Sequence, residues 1–245
     1  MPDLNLNDPH LAAILTVVAL FAGFVRGFTG FGGPAVMVLA MVPFFSPLSV
    51  VTKVVVIDLV ANVKMMPSTS HEIDVPVVVA ITLGSLLGAP LGLYLLEVVD
   101  PVLMKRVTAV VAMTCTIAMM TGWRFKRMPS TATFALAGAA AGIILGATLI
   151  AFLMMVFLFA SPASAAVSRA NAVMWGFVMT GGLISAWLII GSLDWPQFWR
   201  SIAIGVIYLL GSTVGAAAFR RTSEHNFRKV VLWFMLTLAS AGLLV

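Results

Sequence analysis

The chain has 245 residues, of which 61% are hydrophobic and only 9% are charged, and its mean hydropathy is +1.10. A soluble domain of this length could not cover so much apolar surface, so the composition excludes a soluble globular protein and indicates a polytopic protein of the lipid bilayer. The net charge of +5 is explained by the basic residues that membrane proteins carry on their cytoplasmic side, so no nucleic-acid partner is predicted.

Few residues are available for redox or metal chemistry. The single cysteine, Cys115, excludes an internal disulfide. The histidines His10, His71 and His225 fall in or near polar connections, so neither a metal site nor a cofactor is predicted. No cleavable signal peptide is expected, because the first ten residues contain two Asp and no Lys or Arg.

Apolar segments follow one another along the whole chain, five in each half. They cover residues 11–29, 34–45, 48–66, 76–96 and 107–123, and then 132–146, 148–160, 164–191, 198–219 and 229–245. The second segment of each half is too short to cross a membrane comfortably, which favours a re-entrant hairpin with the first segment. Each half then crosses the membrane three or five times.

The first segment ends in a glycine-rich stretch that runs from Gly23 to Pro34. Small residues at this density are also typical of close helix packing, which would require no ligand. Because Pro34 suits the first turn of a new helix, we favour a break in the helix at Gly30, Gly32 and Gly33. The second helix would then offer unpaired N–H groups and a partial positive charge to an anion. In the second half the matching place is 145–148, where Thr148 could supply a hydroxyl.

Ionisable residues within apolar segments are costly, and they indicate either function or an ion pair. Those of the third segment are Lys53 and Asp58, and Asn62 follows Asp58 by one helical turn, so the two side chains share a face. Arg26 is the ionisable residue of the first segment. We expect Arg26 and Lys53 to bind the anion and Asp58 to pair with one of them, and proton uptake by Asp58 remains an alternative. Snorkelling to the membrane surface is the other interpretation of Lys53.

A second set of donors lies in the other half of the chain. Arg169 and Asn171 occupy nearly the place of Lys53, since these residues follow the aligned prolines Pro47 and Pro162 at similar distances. In a duplicated protein such residues can converge on the axis between the repeats. The planar donors of Arg169 suit a sulfonate or a carboxylate, although a position at the membrane surface would need no ligand.

Four-residue glycine spacing marks two later helices. Gly84, Gly88 and Gly92 form one such row, and Gly211 with Gly215 forms another. A continuous helix has no free backbone groups, so these rows predict close helix packing within the chain or in a homodimer.

The two halves of the chain match in order. Gly23 aligns with Gly138, and Asp74 before a proline aligns with Asp194 before a proline. An odd number of crossings per half inverts the second half, which puts the basic loop 124–127 on the same side as the basic residues in 220–229, opposite Lys105. The positive-inside rule favours this arrangement. The predicted fold is therefore an all-α membrane protein with inverted repeats at 1–128 and 129–245, each containing an interrupted or re-entrant glycine-rich helix pair and about three spanning helices.

The glycine run from Gly23 to Gly33, with Pro43 ten residues later and a weaker copy starting at Gly138, resembles the TauE/SafE family of membrane anion transporters. The resemblance spans nearly the whole chain. It implies a duplicated architecture and the export of sulfite, sulfoacetate or related organosulfur anions across the bacterial inner membrane. It also implies that the binding site includes Gly27, Gly30, Gly32 and Gly33.

The sequence departs from the family pattern at two places. Pro34 replaces a third consecutive glycine, and Ala147 and Thr148 stand where the second copy would have glycines. We expect a secondary transporter or uniporter for a small organosulfur anion that works by alternating access. A transporter of another small anion, such as a carboxylate, and an assembly subunit that transports nothing remain alternatives. An enzyme is not expected, because no histidine falls within an apolar segment to act as a base.

Overall fold

The structure is a computed structural model of the chain. It describes residues 9–41, 44–45, 47–100, 103, 106, 110, 113–114, 116–117, 119–148, 152–191 and 193–244. Pro43, Lys105 and Cys115 lie outside the described residues.

The described residues form helices and connections, and no strand occurs among them. The helices are α1 (Pro9–Thr29), α2 (Gly33–Met41), α3 (Pro47–Thr69), α4 (Val75–Val98), α5 (Thr131–Thr148), α6 (Phe152–Ala160), α7 (Ala165–Ile190), α8 (Trp195–Arg221) and α9 (Glu224–Leu244). The residues described between 103 and 120 are also helical. The all-α prediction is confirmed, and the predicted segments match these helices to within a few residues, apart from 107–123, which lies partly outside the described residues.

Four stretches of the described chain are long and apolar enough to cross a membrane: α1, the Val75–Gly92 part of α4, α7 and α8. The starts of α4 and α8 are set by matching caps, since Asp74 and Asp194 each accept a hydrogen bond from the backbone N three residues later, and a proline follows each cap. An aspartate cap and a proline in the first turn are both typical of helix starts.

The chain divides into two compact units, and each unit combines segments of both sequence halves. The first unit consists of Met1–His71 and Gly176–Thr222, and the second of Glu72–Trp175 and Ser223–Val245. In the first unit α1 packs along α8, and in the second unit α4 packs along α5.

Glycines let the backbones of these helix pairs approach closely. In the first unit, a Cβ added at Gly23 or Gly27 would collide with the backbone of α8, and one added at Gly211 or Gly215 would collide with the backbone of α1. In the second unit the row Gly84, Gly88 and Gly92 meets backbone atoms of α5 in the same way. The prediction that the later glycine rows serve helix packing is confirmed within the chain.

The glycines of the two units make contacts of the same kind. In the first unit Gly23 faces Tyr208 and Gly211 faces Leu20, and in the second unit Gly142 faces Ser85 and Gly88 faces Ala139. The sequence alignment of Gly23 with Gly138 stays a prediction.

The short helix α6 turns back beside α5. Phe125 N donates to Ala160 O at 3.1 Å, so the end of α6 lies close to the loop that leads into α5. An α-helix rises about 1.5 Å per residue, so the 18 residues of α5 span about 27 Å, whereas the six Cα–Cα steps from Phe125 to Thr131 cover at most about 21 Å at about 3.5 Å each. Therefore α6 does not continue straight on from α5, and a re-entrant hairpin in the membrane stays a prediction.

Candidate anion site

The glycine-rich stretch breaks the first helix, as the sequence predicts. Gly30 and Gly32 have φ angles of 83° and 80°, a left-handed conformation that glycine adopts at little cost. Gly30 N still donates to Arg26 O at 2.9 Å, and Val36 N donates to Gly32 O at 3.1 Å as α2 begins. Pro34 has no N–H, so Gly33 N and Ala35 N are the donors of this turn without an acceptor in their own helix, and the break presents these two donors and a positive helix end.

Arg26 lies at the end of α1 and is 2% exposed. Its guanidinium uses all three nitrogens: Nε donates to Asp58 Oδ1 at 2.9 Å, Nη1 donates to Gly30 O, and Nη2 donates to Asn62 Oδ1. The sequence left Arg26 and Lys53 open as partners of Asp58, and the structure shows that Asp58 pairs with Arg26. Arg26 therefore ties a carbonyl of the break to two side chains of α3.

Two further residues complete this buried cluster. Tyr208 OH donates to the same Asp58 oxygen at 2.8 Å, and Asn62 Nδ2 donates to Asp58 Oδ2 at 2.9 Å. Asn62 Nδ2 also lies 3.4 Å from Thr180 Oγ1. Sequence reasoning missed Tyr208 and Thr180, although Tyr208 is one of only two tyrosines in the chain and falls within an apolar segment. Arg26, Asp58, Asn62, Thr180 and Tyr208 are called the arginine cluster below.

The charges of the arginine cluster balance. Arg26 carries one positive charge and Asp58 one negative charge, and Asp58 accepts three hydrogen bonds through its two oxygens. Buried charges are stable only when paired and hydrogen-bonded in this way. The cluster can therefore hold the geometry of the break within a low-dielectric interior.

Two of the predicted site glycines are required by packing. A Cβ added at Gly33 would collide with Tyr208 OH, and one added at Gly27 would collide with the backbone of Ser212. Gly33 thus lets the arginine cluster approach the start of α2. Gly27 lies inside α1, one turn before the break.

Lys53 lies on α3 and is 4% exposed. Its Nζ donates to Ser49 Oγ and lies 5.2 Å above the centre of the Phe45 ring. The side chain is therefore buried in the first unit, which argues against snorkelling to the surface.

The remaining predicted site residues belong to the second unit. Asn171 is 2% exposed, and its Oδ1 accepts a hydrogen bond from Asp74 N at 2.9 Å, so it helps to fix the start of α4. Arg169 is also buried, at 5% exposed. Thr148 is the last residue of α5 that the structure describes, and its side chain lies outside the described part. Within that part, no three His, Cys, Asp or Glu side chains are grouped as metal ligands.

A buried polar contact also joins α4 and α7 in the second unit. Trp175 Nε1 donates to Ser85 Oγ at 3.3 Å, and Ser85 Oγ donates to Ile81 O at 2.7 Å. These two side chains carry no charge.

The sequence matches the family model described as Sulfite exporter TauE/SafE over residues 15–242. The chain belongs to the TauE/SafE family. Membership makes it a membrane protein that transports small anions of the sulfite class, and it agrees with the apolar helices described above. Comparisons with curated proteins and with solved structures gave no significant match.

Proposed function

We propose that this TauE/SafE protein exports a small organosulfur anion, such as sulfite, sulfoacetate or a similar sulfonate, across the bacterial inner membrane. It acts as a secondary transporter or uniporter, and its central site opens to each side in turn. Outward movement of an anion is favoured by an inside-negative potential, by about 2.3 kcal/mol per charge for each 100 mV. A coupling ion is therefore not obligatory.

The observation that carries the proposal is the break between α1 and α2, with Gly30 and Gly32 at positive φ and the Gly30 carbonyl held by buried Arg26. Broken helices inside membrane proteins are tolerated where they are buried or line a cavity, and their ends bind ions in transporters. The anion binds at the backbone N–H groups that begin α2.

Arg26 has two roles in this proposal. Its positive charge lies beside the site, and its guanidinium fixes the break by binding Gly30 O. Because Asp58 balances the charge, the second role is the larger one. Lys53, Thr148, Arg169 and Asn171 remain predicted as further ligands.

An inverted arrangement of the repeats fits the proposal. In the second unit, Arg124 and Arg228 line one recess, although α5 to α8 separate them in the chain. If α5 and α6 form a hairpin, only α7 and α8 cross the membrane between these two arginines. If α1 with α2 forms a matching hairpin and the segment before Arg124 crosses once, each half crosses three times, an odd number that would invert the second half relative to the first.

The experiment is efflux of sulfite from proteoliposomes, together with thermal unfolding of the purified protein in sulfite, sulfoacetate, thiosulfate, acetate and chloride. A ligand that binds only the folded protein raises its stability, by about 2.7 kcal/mol at 100 times its Kd. We expect sulfite or sulfoacetate to stabilise the protein more than acetate does. Equal stabilisation by acetate would favour a carboxylate transporter, and no stabilisation by any anion would favour an assembly subunit.

The Asp58→Asn variant tests how Arg26 acts. If the Arg26 charge bound the anion directly, removing the neighbouring negative charge would strengthen binding. If Arg26 mainly holds the break, losing a strong acceptor loosens the arginine cluster and weakens binding, which is the result we expect. Lys64→Ala is the control, because Lys64 is an exposed cation of the same helix.

A further inference from the structure

The buried side chains of the first unit carry a small net charge. The charged side chains that the structure describes as buried in this unit are Arg26 at 2% exposed, Lys53 at 4% and Asp58 at 5%. The other charged side chains described there, such as Lys64 and Arg200, are exposed. Two positive charges and one negative charge are therefore buried, which leaves one positive charge in the described part of the first unit.

The backbone of the break offers hydrogen-bond donors to an anion. The N–H groups of Gly30 and Phe31 have acceptors within the chain. Among the described residues, none accepts a hydrogen bond from Gly32 N, Gly33 N or Ala35 N. A left-handed residue next to a helical one turns successive N–H groups toward the same side, which makes a concave surface for an anion. Gly32 and Gly33 have this combination, so their N–H groups suit one oxygen of an anion.

These donors carry partial charges rather than a full one. The start of a helix is equivalent to about half an elementary charge. The full charge of Arg26, which holds the break through Gly30 O, is neutralised by the Asp58 carboxylate at 2.9 Å. That carboxylate also repels any second negative charge that is brought to the arginine cluster.

The number of charges on the ligand decides the cost of burying it. The free energy of moving an ion from water into a low-dielectric interior rises with the square of its charge, so a dianion costs about four times as much as a monoanion of the same size. A monoanion brings the buried charge of the first unit to zero, whereas a dianion leaves one negative charge unbalanced. Buried charges are stable only when they are balanced in this way.

We propose that the site binds singly charged oxyanions and rejects doubly charged ones. This inference rests on the proposed function and names the charge state of its substrate: hydrogensulfite or a monosulfonate, rather than fully deprotonated sulfite or sulfate. Gly32 N and Gly33 N bind one oxygen of the anion. Sulfoacetate carries a second charge on its carboxylate, so it binds more weakly than methanesulfonate does.

The test compares methanesulfonate with methylphosphonate, which has the same shape. Binding of each to the purified full-length protein is measured by isothermal titration calorimetry at constant ionic strength, at one pH below and one pH above the second pKa of methylphosphonate. Methylphosphonate changes from a monoanion to a dianion between these pH values. Methanesulfonate stays a monoanion, so it reports any titration of the protein itself. We expect the affinity for methylphosphonate, relative to methanesulfonate, to fall at least tenfold at the higher pH.

Sulfate and the Asp58→Asn variant test where the selectivity comes from. We expect sulfate to bind the wild-type protein at least tenfold more weakly than methanesulfonate does. Asp58→Asn removes the buried negative charge, so the ratio of the sulfate affinity to the methanesulfonate affinity should rise at least tenfold, although both anions bind this variant more weakly. Lys64→Ala is the matched control, because it removes an exposed charge of α3, and it should leave this ratio within twofold.

The charge selection and the proposed function fail in different ways. Equal affinities for methanesulfonate and sulfate, or a relative affinity for methylphosphonate that is the same at both pH values, would overturn the charge selection and leave anion transport in place. An unchanged affinity ratio in Asp58→Asn would also overturn it. If none of these anions nor sulfite bound the protein at either pH, the proposed function itself would be wrong, and the charge selection with it.

Discussion

Replacing both charges of the arginine cluster should cost less stability than the two single replacements together. The variants are Arg26→Leu, Asp58→Leu and the double variant. Leucine is uncharged and apolar, so it removes each charge without adding a polar group to the buried cluster. The comparison isolates the energy with which the two charged side chains depend on each other.

The expected magnitudes follow from the contacts. Removing one partner of a buried ion pair leaves an uncompensated charge, which costs about 3–5 kcal/mol. Each single variant removes the 2.9 Å bond between Arg26 Nε and Asp58 Oδ1 and leaves one charge buried. The double variant leaves no charge, but Tyr208, Asn62 and the Gly30 carbonyl lose partners at about 1–3 kcal/mol each. The midpoints of these ranges give a coupling energy of about 2 kcal/mol.

The assay is equilibrium unfolding of the purified protein in mixed micelles, followed by tryptophan fluorescence without added anion. Glu224→Gln is the control, because it breaks the ion pair of Arg228 with a carboxylate that is 54% exposed, and a pair of this kind contributes about 1 kcal/mol or less. If the two single costs simply add in the double variant, the ion pair does not stabilise the cluster as described.

Three further predictions concern the backbone and the caps. Gly32→Ala and Gly122→Ala should each lower the free energy of unfolding by about 1–2 kcal/mol, because both glycines have a left-handed conformation. Only Gly32→Ala should abolish the increase in melting temperature caused by sulfite. If both variants lost this increase equally, the proposed anion site would be wrong. Gly215→Ala should lower the melting temperature through its collision with α1, whereas Gly182→Ala, which meets no atom within 4 Å, should not, and equal melting temperatures would refute close packing. Asn171→Ala should destabilise the protein by about 1–3 kcal/mol by leaving the backbone N at the start of α4 unpaired, and an unchanged unfolding midpoint would show that this bond contributes little.

Local sequence signals predicted the parts of the fold that depend on neighbouring residues. The glycines before Pro34 predicted the helix break, and the structure shows Gly30 and Gly32 there at positive φ. The four-residue spacing of Asp58 and Asn62 predicted that both lie on one face of α3. The lengths of the apolar segments predicted the helices. These features need no knowledge of which helices pack together.

Features that depend on distant segments were missed. Tyr208 reaches Asp58 across 150 residues of sequence, and no local pattern connects them. The sequence also does not decide which glycine of the second half matches Gly23, because Gly138, Gly142 and Gly146 repeat every four residues and a shift of one helical turn leaves the pattern unchanged.

The exchange of helices between the sequence halves has a consequence for biosynthesis. When α1 enters the membrane, its glycine face has no partner until α8, about 165 residues later, has been synthesised (195 − 29 = 166). During this interval Arg26 can already bind Asp58, but the bond from Tyr208 forms only after α8 inserts. We therefore expect the ion pair with Asp58 to shield the Arg26 guanidinium from lipid before α8 inserts, and the Tyr208 hydrogen bond to form late in folding.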